Sequence, residues 1–389
     1  MSLKIVYCIP SLYYPSGMER VVTLKANYFA EVYGYEVVII LTDGKDKKPF
    51  YSLSPLVRII NLDINYDELY GKSFLKKTVL YLKKQRIFKN RLRDCLFNLK
   101  PDISISTLRR EINFFNSIKD GSIKIGEIHF SKANYRDFKG EKSIYIVQKS
   151  IAFFWMRQLI YQLKKLDKFI TLTEEDKMLW TELKNVQTIN NPLSFFPDRI
   201  SQCENKQIIA AGRYVPQKGF DLLIEAWSLV EKKHPDWKLL IFGDGDRKLL
   251  ENIINKNNLQ NCYLKHSTND IASEFINSSI YVLSSRFEGF GMVIIEAMAC
   301  GVPPIAFDCP CGPKDIINNL KDGILVKSED INELADKICF LIENENIRKE
   351  MGIKARKNAE RFKIEYIAEQ WKLLFEELIN KSNNKKVNE

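Results

Sequence analysis

The sequence predicts an α/β protein made of two tandem parallel-sheet domains. Three observations carry that expectation: a strand, helix and strand opening over residues 3–41, a fresh and more regular alternation from residue 207, and a break in pattern around Asn190, Asn191 and Pro192 between them. At 389 residues the chain also exceeds one ordinary domain of roughly 150 residues. The domains are therefore expected at 1–195 and 196–363.

In chain order, Leu3 to Pro10 reads as the first strand, followed by a turn-rich loop from Ser11 to Gly17. Met18 to Val32 reads as a helix and Glu36 to Leu41 as the second strand. The pattern then blurs through 50–125. Within that stretch Lys72 to Lys100 holds ten basic residues against Asp94 alone, and Phe88, Leu92, Leu96 and Leu99 recur at helical spacing. A basic amphipathic helix is expected there, either docked on an anionic membrane surface or packed on its own domain with a solvated lysine face. Lys168 to Leu172 reads as a strand, with Thr173 placed to cap a helix whose first turn carries Glu174, Glu175 and Asp176.

Beyond the break, strands are expected at 207–212, 238–243, 262–264, 279–283 and 302–307. Helices near 219–233, 246–257, 270–277, 291–300 and 312–319 separate them. From about 330 the chain reads as helical and ends in a polar tail, 381–389, expected to fray. Two such domains imply a cleft between them where ligands bind.

Composition narrows the function. A hydrophobic content of 45% with 28% charged residues excludes global disorder. The net charge of +10 is unevenly spread: residues 1–190 hold 32 Lys and Arg against 20 Asp and Glu, leaving 27 against 29 for the rest. A non-catalytic binder of nucleic acid or another acidic surface would rest on charge alone, and nucleic acid is not an expected partner. The eight cysteines include no C-x-x-C pair and read as reduced thiols of a cytoplasmic protein, not as a metal site. The N-terminus lacks a signal-peptide pattern, and no run of about 18 apolar residues offers a membrane span.

The chemistry-bearing residues cluster where strands end in the second half. Gly212 to Gly219 places Arg213 and Lys218 on one loop before a helix, a pattern suited to a phosphate. Gly243-Asp-Gly-Asp246 is neither a full dinucleotide fingerprint nor a Walker loop, and its two aspartates are expected to serve the backbone at a helix start, not a metal. The strand ending at Ser285 runs into Glu288, Gly289 and Gly291, then into an apolar helix that holds Glu296. An acid among apolar neighbours needs a dedicated partner, and a ribose with its two hydroxyls is one.

These residues together resemble a family 4 retaining glycosyltransferase of the GT-B fold, whose hallmark is E-x7-E, here Glu288 and Glu296. Arg213 and Lys218 stand in its GR…KG setting, with FGDG at 242–245, Asn191-Pro192 before the second domain and Gly312-Pro313 after a strand. In the first half Ser16-Gly-Met-Glu-Arg20 resembles the family's G-G-x-E-R loop, with Ser16 in place of the first glycine, and Glu127-Ile-His129 resembles its E-x-H. His266 lies where the family often has glycine. The resemblance implies two Rossmann-like domains facing across a cleft, with a last helix, 364–389, crossing back toward the first domain.

The resemblance also implies roles. Glu296 holds the donor ribose, Arg213 and Lys218 hold the diphosphate with Gly17 approaching from the first domain, and Phe290, Gly291 and Met292 offer backbone amides. Glu288 contacts the transferred sugar and His129 lies near its reacting face. The expected activity is hexosyl transfer with retention from a nucleotide-sugar, most simply a UDP-sugar, with no cofactor and no metal. The expected acceptor is a glycan or a polyprenyl-diphosphate-linked glycan of surface polysaccharide assembly, capsule or lipopolysaccharide, with the enzyme peripheral on the inner membrane face through Lys72–Lys100. Arg286 and the Cys309 to Pro313 segment are similar to members that handle galactose or N-acetylgalactosamine. A nucleotide-sugar 2-epimerase of the same fold is the alternative enzyme class.

Overall fold

In a computed structural model that describes residues 2–132 and 145–388, the chain forms two compact units, Met1–Pro192 with Ile364–Glu389, and Leu193–Lys363. The first unit holds a seven-stranded sheet of β1 (Lys4–Ile9), β2 (Glu36–Leu41), β3 (Arg58–Asn61), β4 (Ile103–Ser106), β5 (Ile123–Glu127), β6 (Lys168–Thr171) and β7 (Val186–Thr188). Its order is β3-β2-β1-β4-β5-β6-β7 and every pair is parallel, Tyr7 lying between Ile39 and Ile105.

Alternate residues along β1 feed two separate cores, as a strand's period of two requires. Ile5, Tyr7 and Ile9 face the helices Gly17–Glu31 and Ile364–Asn388, where they pack with Phe29, Trp371 and Phe375. Val6 and Cys8 face the opposite side with Phe88, Leu92 and Leu96 of the helix Phe74–Leu99.

That second packing corrects part of the membrane expectation, because the apolar stripe of the Lys72–Lys100 segment is spent on its own domain. What the helix presents outward is different: Val79 and Leu82 are 67% and 63% exposed, and Lys76, Lys77 and Lys83 are exposed around them. No helix among the described residues is long and apolar enough to cross a membrane.

The second unit holds a six-stranded parallel sheet of β8 (Gln207–Ala211), β9 (Lys238–Phe242), β10 (Cys262–Lys265), β11 (Ile280–Leu283), β12 (Pro304–Phe307) and β13 (Ile324–Val326). Its order is β10-β9-β8-β11-β12-β13. Chain progression reverses between β8 and β11, and such a switch point leaves a crevice beyond the strands' carboxyl ends. The loops that leave β8 and β11 are those singled out from sequence.

Several elements depart from expectation. Strands β3, β4, β5, β7 and β13 were not legible, the helix expected at 312–319 is confined to Pro313–Ile316, and the last helix runs through the expected polar tail to Asn388. Thr173 caps as expected, its hydroxyl accepting the Asp176 N–H at 3.0 Å.

Candidate functional site

In the second unit the loops after β8 and β11 are zipped together. Arg286 N–H donates to the Gln217 carbonyl at 2.8 Å, Gln217 Nε2 to the Phe287 carbonyl at 3.0 Å, and Ser284 Oγ to the Lys218 carbonyl at 2.9 Å. The Arg286 guanidinium grips both oxygens of Asp221, at 2.9 and 2.6 Å, and also donates to the Pro216 carbonyl. Asp221 lies in the first turn of the helix Phe220–Lys233, so Arg286 acts here as a clamp between loop and helix. Gly219, at φ 61°, allows the approach: a Cβ there would lie 2.0 Å from the Ser284 carbonyl oxygen.

This frame brings Lys218 and Glu288 together. Lys218 Nζ lies 2.7 Å from Glu288 Oε1, which also accepts Ser285 Oγ at 2.6 Å, and Glu288 is 7% exposed. A buried carboxylate oxygen is thus matched by both a lysine and a hydroxyl. Arg213 is exposed on the same loop.

The helix Met292–Ala299 starts just beyond. Gly291 precedes it at φ 100°, and its carbonyl accepts the first-turn Ile294 N–H at 2.9 Å. Phe290 is buried and anchored by an edge-on contact with Phe362, at 5.7 Å between ring centroids. Glu296, a turn and a half inside the helix, is 3% exposed. The partner it requires is present within the unit, since Ser194 Oγ donates to Glu296 Oε1 at 2.9 Å.

The two aspartates divide. Asp246 serves the backbone, accepting the Lys248 N–H at 3.1 Å. Asp244 reaches another loop: it receives the Ser267 hydroxyl, the Ser267 N–H at 3.4 Å and His266 Nδ1 at 3.1 Å, and hydrogen bonds from these two residues hold its carboxyl below the usual range. Asp244 thus ties the loop after β9 to the loop after β10, and the backbone N–H it serves belongs to Ser267 and not to its own helix start. Among the described residues no group of three or more His, Cys, Asp or Glu could hold a metal ion.

The first unit holds Gly17 and His129. Gly17 opens its helix, and a Cβ there would meet nothing within 4 Å among the described residues. Glu19, two residues on, is buried and accepts Ser11 Oγ at 3.3 Å, and burial raises its carboxyl above the usual range. His129, just past β5, has 4% of its side chain exposed, with Nε2 3.6 Å from Glu127 Oε1. Burial pushes the imidazole down to about 4, against the pull of Glu127, with Lys25 and Arg109 adding to the push. Because protons then favour the unfolded chain, the stability from burying neutral His129 is intact above pH ~6.5 and lost as pH falls towards about 4.

Sequence reasoning missed Lys25. It is 1% exposed in the middle of the helix Gly17–Glu31 and pairs with Glu127. Its pairing partner lies 102 residues away, so no local pattern could announce it.

The family model described as glycosyl transferases group 1 matches residues 196–358. Over 380 residues the chain is 31% identical to an uncharacterized glycosyltransferase of Haemophilus influenzae, covering 95% of this chain and 99% of that one. It is 32% identical over 315 residues to the poly(ribitol-phosphate) alpha-N-acetylglucosaminyltransferase of Staphylococcus aureus, covering 77% and 61% of the two chains. Among solved structures it is similar to Staphylococcus aureus TarM in complex with fondaparinux, alpha-GlcNAc-glycerol and UDP, with TM-score 0.73 at 21% identity over 96% and 99% of the two chains. It is also similar to sucrose-phosphate synthase of Thermosynechococcus elongatus, with TM-score 0.80 at 18% identity over 97% and 99%.

Proposed function

The chain belongs to the glycosyl transferases group 1 family and has the GT-B fold, and from that premise we propose that it is a family 4 hexosyltransferase. It moves a sugar with retention from a UDP-sugar to a glycan or polyprenyl-diphosphate-linked acceptor of surface polysaccharide assembly. The observation that carries this reading is the Lys218–Glu288 pair, with its buried carboxylate, at the switch point of the second sheet. It sets a cation for a leaving diphosphate next to a carboxylate for a sugar that becomes positive as its bond to phosphate breaks.

In the proposed reaction the bond between the anomeric carbon and the diphosphate oxygen breaks while the acceptor oxygen approaches the same face. The departing phosphate takes the acceptor's proton. Lys218 and Arg213 neutralise the phosphate charge, so no divalent metal is needed, and the amides of Phe290, Gly291 and Met292 add donors at the helix start. Glu296, oriented by Ser194, accepts the ribose hydroxyls. Among the described residues nothing requires glycine at position 17, which accords with close approach of a ligand there. Retention is supported by the alpha product named for the Staphylococcus aureus relative, because an alpha-linked nucleotide donor gives an alpha product only when configuration is kept.

The test begins with a thermal-shift screen of nucleotide sugars, in which a donor at 100 times its Kd stabilises the protein by about 2.7 kcal/mol. With the donor found, the product should be alpha-linked by NMR and form at an undiminished rate in EDTA. A beta-linked product overturns retention. Activity abolished by EDTA and restored by manganese overturns the metal-free reaction.

The acceptor's membrane surface is met, in this proposal, by the exposed first half of the helix Phe74–Leu99. Binding to anionic vesicles is expected, falling with salt, at about 1 kcal/mol per basic residue near the surface. Changing Lys76, Lys77 and Lys83 to Glu should abolish it without altering UDP affinity. Lys84 is left in place because it is engaged with the Ile64 carbonyl and Glu68. Equal binding to neutral vesicles would remove the proposal.

A further inference from the structure

The first unit hides a group of polar side chains that the proposed reaction does not yet use. Lys25 reaches from the helix Gly17–Glu31 to Glu127 at the end of β5, and both side chains are 1% exposed. The ammonium lies 4.4 Å from the centroid of the Trp371 ring and 5.6 Å from that of Tyr7, so aromatic faces replace the water it has lost. Glu127 Oε1 takes the lysine on one side and has His129 Nε2 3.6 Å away on the other. Glu127 Oε2, His129 Nε2 and the Tyr7 hydroxyl are buried with no hydrogen-bond partner among the described residues.

A buried lysine is costly in a core helix where an apolar residue would pack without penalty. It is explained if its charge is needed. A lone buried carboxylate beside an imidazole would draw a proton onto the pair and make His129 cationic, whereas a carboxylate already matched by an ammonium does not. We infer that Lys25 is a positioning residue for His129: by pairing with Glu127 it keeps the imidazole uncharged and turns its Nε2–H toward the carboxylate. The charged groups acting on His129 are Glu127 on its own segment, Lys25 on the neighbouring helix and Arg109 on the loop after β4, and the ring's downward shift has the direction this arrangement requires.

Resting on the reading of His129 as a residue near the reacting sugar, the arrangement has a purpose. A cationic imidazole would repel the positive charge that develops on the sugar, and a neutral one does not.

The chain has three histidines, at 129, 234 and 266, so selective ring labelling of the full protein gives a readable NMR titration. His234→Gln and His266→Gln variants assign the signals. In the wild type His129 should be an Nε2–H tautomer that does not titrate above pH ~5. In Lys25→Met its signal should titrate near or above neutral pH, a shift of about two units or more from the wild type. Lys25→Met/Glu127→Gln should return it to the neutral form. Activity should follow: the Lys25→Met enzyme gains an acid limb near neutrality that the double variant lacks.

A His129 that stays neutral in Lys25→Met, or an Nδ1–H tautomer in the wild type, overturns the inference. The tautomer measurement needs no variant and decides even if Lys25→Met does not fold. Should the NMR shift occur while the pH profile of activity stays flat, the charge control stands and the placement of His129 at the reaction is what fails.

Discussion

Replacing Glu288 with Gln is expected to lower kcat by roughly 10²–10³ while sparing UDP affinity, the scale seen when one preorganised electrostatic group is removed from an active site. The substitution keeps the shape of a side chain that is 7% exposed and still leaves an oxygen for Lys218 Nζ and Ser285 Oγ. What it removes is the negative charge that would face a cationic sugar. Glu296→Gln should behave differently, weakening UDP and donor alike by about 1.5–3 kcal/mol, because a ribose contact is made equally in substrate and transition state. Calorimetric UDP affinities beside donor kinetics separate the two variants. Indistinguishable profiles would refute the division of labour, and a fully active Glu288→Gln enzyme would remove the proposed mechanism.

Trp371→Ala is expected to destabilise the first unit by about 3–5 kcal/mol, the range for deleting a large buried aromatic. Trp371 is 1% exposed, packs against Phe375 at 5.6 Å between centroids, and forms the wall beneath the Lys25 ammonium. Scanning calorimetry should show one transition moved down and the other unchanged, since Leu193–Lys363 forms its own unit. An unchanged first transition would show that the returning helix contributes little to that core.

All strands of the second sheet but β13 were legible because they are nearly continuous apolar runs, such as Lys238–Phe242 and Ile280–Leu283, bounded by glycines or serines. The first sheet hid its middle behind polar residues that are buried all the same. Strand β4 reads Ile-Ser-Ile-Ser, and both serines are 0% exposed, Ser104 paired with Ser122 and Ser106 with Glu111. Strand β5 carries Lys124, which is neutralised by Asp120. Partners close in space and modest in polarity erase the apolar signal without costing burial.

The same limit governs the site. Gly212 to Gly219 and Arg286 to Gly291 announce themselves because a tight turn after a strand is a local event. Lys25 with Glu127, Ser194 with Glu296 and Arg286 with Asp221 are pairings across 102, 102 and 65 residues, and no window along the chain contains both members.

The return of the chain's last helix to the first unit has a consequence for biosynthesis. A protein emerging from the ribosome ordinarily completes its domains in the order they are made. Here the later unit is one unbroken stretch, Leu193–Lys363, and can close as soon as it emerges, whereas the earlier one lacks Ile367, Trp371 and Phe375 until the residues after Lys363 have been made. Ile5, Tyr7 and Phe29 then lack part of their cover while the whole second unit is synthesised. The nascent chain therefore carries an incompletely covered apolar face while the second unit is made. A premature stop codon just after Lys363 would release a protein whose second half is finished and whose first half never is.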